Sequence, residues 1–402
     1  MNFVIKGRLR VDLVEIMKNR IIIIVNTSWN LVNFRSGLIK AMVSSGLDVV
    51  AIAPHDQYVA QVLALGCRYL PVVIDNKGTH IGRDLILVCR FFRLLVQERP
   101  RAILCYTVKP NIYASIVAHA LRIPVINNIA GLGTAFIRKG WLNTLVEVLY
   151  RIALSRSAKV FFQNDDDLKL FLSKRLAPTG VTDRLPGSGI DLDAFRPRPF
   201  PARPIVRFLL IARMLWDKGI GEFVEAARIL QQRGVEADFC LLGFLDVQNP
   251  AAISREQMGF WIKEGVVRYL GVSDNVRDEI AEADCVVLPS FYPEGTPRCL
   301  LEAAAMARPI VTTDSAGCRD VVEDGVSGYL CKPRDATDLA DKLGRIVSLL
   351  PSEREAMGLQ GRAKAEKEFD ERIVIKKYLE AIRSILEKKS RSSADGISAQ
   401  RE

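Results

Sequence analysis

At 402 residues, 49% hydrophobic and 25% charged, the chain is too long for one ordinary domain, fits two α/β domains of about 200 residues each, and is too apolar to be disordered throughout. The net charge of +10 points to an anionic partner: nucleic acid, an anionic membrane surface or phosphorylated small molecules. Aromatic residues make up 7% and are not interleaved with a basic stripe, which argues against nucleic acid, and eight scattered cysteines without a C-x-x-C pair, beside three histidines, argue against structural zinc.

Residues 1–16 precede a second methionine, Met17, and the first apolar run; they read as an extension or an upstream start. The run Ile21–Val25 is far too short to span a bilayer, and no small-residue cleavage site precedes it. The cysteines sit in apolar runs and read as small buried hydrophobes of a reducing, cytoplasmic compartment. Strands are predicted at Ile21–Val25, Val49–Ala53, Ala102–Cys105, Val125–Asn127 and Lys159–Phe162, with amphipathic helices such as Phe34–Ser45 and Leu85–Gln97 between them. N-D-D-D at 164–167 follows a strand and opens a helix, so its acids read as a cap rather than a metal motif. His119 reads as a packed helix residue, and the three histidines make no metal spacing.

Residues 195–204, F-R-P-R-P-F-P-A-R-P, hold four prolines and read as a linker, blocking both helix and sheet. The predicted division is 17–195 for the first domain, 196–204 for the linker and 205–370 for the second. Strands follow at Val206–Ile211, Phe239–Leu242, Val267–Leu270, Cys285–Leu288 and Ile310–Thr312, with helices at Ile220–Gln232 and Pro297–Ala307. A last amphipathic helix covers 371–388, and the Ser-, Arg- and Gly-rich tail 389–402 reads as disordered. Alternating strands and helices predict parallel sheets, and two such domains imply a cleft with ligands beyond the carboxyl ends of the strands.

The stretch Pro289–Pro309, P-S-F-Y-P-E-G-T-P-R-C-L-L-E-A-A-A-M-A-R-P, runs from a strand through a turn into a helix. Thr296 suits an N-cap and Pro297 the first helical position, and the free N–H groups there suit a phosphate. Glu294 and Glu302 stand eight positions apart, one placed for a sugar hydroxyl and the other for a ribose. Arg213 and Lys218, in A-R-M-L-W-D-K-G-I after strand Val206–Ile211, would supply fixed positive charge to a diphosphate. Each of these residues, taken alone, also reads as a solvated surface group.

Together, A-R-M-L-W-D-K-G, the Glu294/Glu302 pair and V-V-E-D-G-V-S-G-Y-L at 321–330 resemble the retaining glycosyltransferases of the GT-B fold, in family 4. N-F-R-S-G-L-I-K-A-M, K-P-N-I-Y-A-S, I-N-N-I-A-G-L-G and P-G-S-G-I-D-L-D-A-F resemble the subgroup that builds bacterial lipid-linked oligosaccharides and exopolysaccharides, over nearly all of residues 17–385. The resemblance implies two Rossmann-like domains facing a cleft, the first binding acceptor and the second a nucleotide-diphosphate sugar, with the last helix crossing back. It implies that Arg213 and Lys218 hold the donor diphosphate, Glu302 the ribose and Glu294 the transferred sugar, with the backbone at Gly295, Thr296 and Pro297 facing sugar and phosphates. Retention would come from same-face attack assisted by the leaving diphosphate, with no cofactor and no metal. The donor expected is a UDP-sugar, and the acceptor a polyprenyl-diphosphate-linked glycan. Two departures stand out: C-Y-T-V-K-P-N lacks the histidine many members carry there, leaving Lys109 and Asn111 as weak acceptor-side contacts, and N-T-S-W-N replaces a glycine pair. Competing readings are a nucleotide-sugar epimerase or hydrolase, which lacks a proton-handling group here, and a non-catalytic sugar-nucleotide sensor.

Arg138–Lys159 carries five basic residues and one acidic, with Trp141, Leu142, Leu145, Val148, Leu149 and Ile152 at helical spacing. It reads either as a core-packed helix or as a basic amphipathic helix lying on the inner face of an anionic membrane.

Overall fold

The computed structural model describes residues 19–75, 80–132, 141–247 and 249–398; the expected extension 1–16 lies outside these. Among the described residues it divides into two compact units: those up to Ala130 with 141–188 and 372–398, and those at 131–132 with 189–371.

The first unit carries a seven-stranded sheet of β1 (Arg20–Ile24), β2 (Asp48–Ala53), β3 (Arg68–Pro71), β4 (Ala102–Tyr106), β5 (Val125–Ile129), β6 (Lys159–Phe162) and β7 (Thr182–Arg184). Its order is β3-β2-β1-β4-β5-β6-β7, and every pairing is parallel. Ile21 to Ile24 are fully buried and alternate between faces, as period two requires. Ile21 and Ile23 meet Leu31, Leu38 and Met42, whereas Ile22 and Ile24 meet Leu87, Phe91 and Leu95 of helix Ile81–Glu98. The last helix, Glu371–Ser398, covers the former face with Val374, Tyr378, Ile382 and Ile385. The Tyr378 hydroxyl accepts a bond from Asn128 Nδ2 at 2.9 Å, and its ring lies 4.9 Å from that of Phe161.

The second unit repeats the plan with β8 (Val206–Ile211), β9 (Ala237–Leu242), β10 (Arg268–Gly271), β11 (Cys285–Leu288), β12 (Ile310–Thr313) and β13 (Gly328–Cys331). Its order is β10-β9-β8-β11-β12-β13, again parallel throughout. Both sheets are therefore Rossmann-like, and the α/β expectation holds.

Three of the boundaries that differ from the sequence reading bear on the architecture. The last helix runs on to Ser398, well past Lys388, so the tail set at 389–402 begins as helix. No proline interrupts S-R-S-S-A-D-G, and extending a formed helix costs little per residue. The units part between Ser188 and Gly189 rather than at 195. The proline-rich stretch is not a free linker but a strap on the second unit. Fully buried Arg308 donates to the carbonyls of Arg198 at 3.3 Å, Pro199 at 3.0 Å, Ile280 at 3.2 Å and Ala281 at 2.8 Å. Prolines remove donors and leave carbonyls wanting partners, which this guanidinium supplies. Burial pulls the Arg308 side chain down to about 10. Third, Pro297 itself, at φ −63° and ψ 123°, is the N-cap of helix Arg298–Ala305, so Thr296 stands one residue outside that position.

Other expectations are met. N-D-D-D opens helix Asp165–Ser173, but the cap is Asn164, which accepts from Asp167 N at 2.7 Å, while the three acids fill the first turn. His119 is half-buried, its Nε2 2.7 Å from the Ala153 carbonyl. Six cysteines are buried, Cys299 is partly so, and Cys89 is exposed.

Candidate active site

In a doubly wound sheet the chain leaves opposite ways on either side of the first strand, opening a crevice at the carboxyl ends. In the second unit that place lies between β8 and β11. After β8 the chain passes Arg213, makes a short 3₁₀ turn over Trp216–Lys218 and turns through Gly219 at φ 77°. A Cβ on Gly219 would lie 2.1 Å from the Pro289 carbonyl oxygen, so only glycine lets the two loops approach. The Asp217 carbonyl accepts from the N–H groups of Phe291 at 3.1 Å and Tyr292 at 3.0 Å, joining the loop after β11 to the loop after β8.

These constraints bring Lys218 to Glu294, 76 positions apart in sequence, in a short contact between Nζ and Oε1. Their side chains are only 12% and 11% exposed. Ser290 Oγ donates to the same carboxylate oxygen at 2.9 Å, and the Lys218 ammonium lies 4.8 Å from the centre of the Tyr292 ring. Arg213 is exposed and makes no ion pair among the described residues. Burial raises the Tyr292 phenol above its ordinary range, while the positive charges of Lys218 and Arg213 oppose the rise, so both cations act on one spot. Thr313 Oγ1 donates to the Ser290 carbonyl, fixing the loop from β12. Gly317, at φ 76°, backs the turn: a Cβ there would sit 1.7 Å from the Gly295 oxygen.

Gly295 and Thr296 are buried in the same turn. Glu302 lies on helix Arg298–Ala305 and accepts from Arg298 Nε at 3.2 Å, while Arg298 Nη1 reaches the Gly189 carbonyl at 2.5 Å. Burial holds the Glu302 carboxyl above its usual range, and Arg298 acts against this. Among the described residues no group of three or more His, Cys, Asp or Glu side chains is placed to hold a metal ion.

The weak acceptor-side candidates lie in the first unit. Lys109 Nζ pairs with Asp84 at 2.7 Å, and Tyr113 donates to the other Asp84 oxygen at 2.8 Å. Asn111 is buried, donating to the Asn128 carbonyl at 2.7 Å and accepting from Asn127 at 3.0 Å. Ser290, Tyr292 and Gly317 were not singled out from sequence. Ser290 and Tyr292 lay inside the quoted motif, and S-A-G-C offered only a small residue in a loop.

A motif of this kind on this fold matches described families over both units. "Glycosyl transferases group 1" matches residues 206–348 and "Glycosyl transferase 4-like domain" matches 33–186. The chain belongs to these glycosyltransferases. A relative of this glycosyltransferase, N,N'-diacetylbacillosaminyl-diphospho-undecaprenol alpha-1,3-N-acetylgalactosaminyltransferase of Campylobacter jejuni, is 28% identical, covering 86% of this chain and 94% of its own. The crystal structure of a glycosyltransferase from Rickettsia africae has a TM-score of 0.73 at 16% identity, covering 91% of this chain and 98% of its own. Anabaena HepE in complex with UDP has a TM-score of 0.71 at 16% identity, covering 91% and 100%. These structures establish the GT-B fold of the glycosyltransferase.

Proposed function

We propose that this glycosyltransferase moves a sugar from a nucleotide-diphosphate sugar, UDP-linked, to a polyprenyl-diphosphate-linked glycan in cell-surface polysaccharide or glycoconjugate synthesis, with retention at the anomeric carbon. The observation that carries the reading is the buried Lys218–Glu294–Ser290 cluster with Arg213 beside it, at the switch point of the second sheet. A departing diphosphate gains negative charge, and fixed cations in a partly desolvated site stabilise that charge most where it grows. Lys218 contributes a compact ammonium, and Arg213 a fork matched to phosphate oxygens. Glu294 would accept from sugar hydroxyls, its position set by Lys218 and Ser290. Glu302 would accept from the ribose, and the backbone of Gly295, Thr296 and Pro297 would line the donor.

In the reaction the bond from C1 to the diphosphate oxygen breaks, and the acceptor hydroxyl oxygen bonds to C1 on the same face. The acceptor proton leaves with the diphosphate oxygen, so no protein base is required. The cations supply the counter-charge a metal would give elsewhere, so neither metal nor cofactor takes part. The UDP assignment draws on HepE, solved with UDP, and the acceptor class on the Campylobacter relative, whose name includes a diphospho-undecaprenol. No helix among the described residues is long and apolar enough to cross a membrane, so contact with the cytoplasmic face would be peripheral.

The test is transfer from a panel of UDP-sugars to short-chain polyprenyl-diphosphate glycans and to free sugars, with and without EDTA. Transfer to the lipid-linked acceptor that survives EDTA is expected. A free epimer, simple hydrolysis, or binding without turnover would each overturn the proposal.

A further inference from the structure

Helix Ile81–Glu98 of the first unit buries one face, Leu87, Phe91 and Leu95, against the sheet. A second apolar stripe on the same helix faces solvent. Ile81, Leu85, Cys89, Phe92 and Val96 follow at intervals of four, four, three and four, one line along a helix. Ile81 is 85% exposed, Leu85 64%, Phe92 50% and Val96 42%; Cys89 is exposed as well. An apolar line four turns long departs from the scattered single residues normal on a soluble surface.

The charges along the helix are sorted. Arg83, Arg90, Arg93 and Arg99 are exposed. Both acids are turned inward and paired: Asp84 with Lys109 at 2.7 Å, Glu98 with Arg20 at 3.0 Å and Arg68 at 2.7 Å. Of the arginines, Arg83 reaches Asp75 at 2.6 Å and Arg90 donates to the Val73 carbonyl at 2.9 Å. The segment 110–120 lies between this helix and helix Trp141–Leu154, packing on both. That second helix buries Val146, Tyr150 and Ala153, and leaves Leu145, Val148 and Ile152 at 40%, 41% and 51% exposure. Much of the apolar spacing in Arg138–Lys159 is therefore not its core face; residues 138–140 and the Trp141 and Leu142 side chains lie outside the described structure.

We infer that the stripe on helix Ile81–Glu98, seconded by Leu145, Val148 and Ile152, is a docking surface for an anionic lipid bilayer. The inference rests on the proposal that the acceptor is lipid-linked, and adds the surface that meets the lipid. Apolar side chains would enter the headgroup boundary while Arg93, on the flank of the stripe, and Arg99, at its end, meet anionic lipid. A second copy of the chain fits less well. A two-fold contact through this helix would set one row of arginines against the same row.

The test uses the full chain and flotation with phosphatidylglycerol-containing or pure phosphatidylcholine vesicles, at low and high salt. The wild type is expected to float with the anionic vesicles at low salt. L85E/F92E and R93E/R99E should each bind about tenfold more weakly or worse. Both should keep the wild-type melting curve and unchanged transfer to a water-soluble short-chain acceptor. An environment-sensitive dye on exposed Cys89 should shift to the blue with anionic vesicles, which tests the stripe without a destabilising variant. No vesicle binding by the wild type, an unshifted dye spectrum, or full binding by folded L85E/F92E would overturn the inference. So would a dimer abolished by L85E/F92E without change in vesicle binding, which would assign the stripe to a second copy. Loss of transfer in solution with vesicle binding intact would instead count against the proposed reaction.

Discussion

Lys218 and Glu294 hold each other's charge in a place where only about a tenth of either side chain meets water. On the proposed reading, a diphosphate arriving there would find an ammonium already positioned, and Arg213 without an ion pair among the described residues. Replacing Lys218 with methionine removes the charge-assisted bond, worth about 1.5–3 kcal/mol, so kcat/KM should fall roughly 10- to 150-fold. The fall should be larger in kcat than in KM, because the charge grows toward the transition state. Steady-state kinetics on a folded variant check this, and full activity would remove Lys218 from the mechanism. Gly317→Ala makes a different point. Its Cβ would collide with the Gly295 oxygen, so the turn carrying Glu294 must move. Activity should drop about 100-fold or more, as expected when a positioned group shifts by about 1 Å, and donor binding by calorimetry should weaken in parallel. Arg213, Lys218, Glu294 and Glu302 were legible as residue types fit for a diphosphate and a sugar. The Lys218–Glu294 contact was not, because no local spacing joins positions 76 apart. The Arg298–Glu302 pair, four apart on a helix, was available from spacing.

Among the elements, the central strands announced themselves because both faces are covered and nearly every residue is apolar. RIIII, AILCY and CVVL are such runs. Of the four outer strands only β10 is legible, read as Val267–Leu270; the other three are not. RYLP, TDR and GYLC are short and partly exposed, so packing on one side and a single parallel partner define them rather than composition. The proline-rich strap misled for a related reason. Proline density excludes helix and sheet but does not say whether a segment is free or fastened, and the fastening residue, Arg308, stands over a hundred positions away. Arg308→Met should leave several buried carbonyls without a donor and lower stability by about 2–4 kcal/mol. Chemical denaturation checks this, and a wild-type midpoint would mean the strap contributes nothing to the unit's stability.

For the whole molecule, the chain order and the packing order differ most at the C-terminal helix. The last helix of the sequence completes the core of the first unit, and Tyr378, fully buried, joins Tyr106, Phe161 and Asn128. The sequence showed the helix and its apolar face, and only resemblance to a family indicated where it lands. Tyr378→Ala would open a cavity and strand the Asn128 amide, costing about 3–5 kcal/mol. Thermal melting should drop accordingly, and an unchanged melt would mean that the helix does not close this core. The reading of the whole enzyme stands on retention at a donor site built by the second unit. The most direct measurement is ¹H NMR of the product anomeric proton during turnover of a UDP-α-sugar in EDTA. The account predicts that the first-formed product is the α-anomer, and that Lys218→Met slows its appearance without changing its configuration. A β-linked first product, or no transfer until a divalent ion is restored, would contradict it.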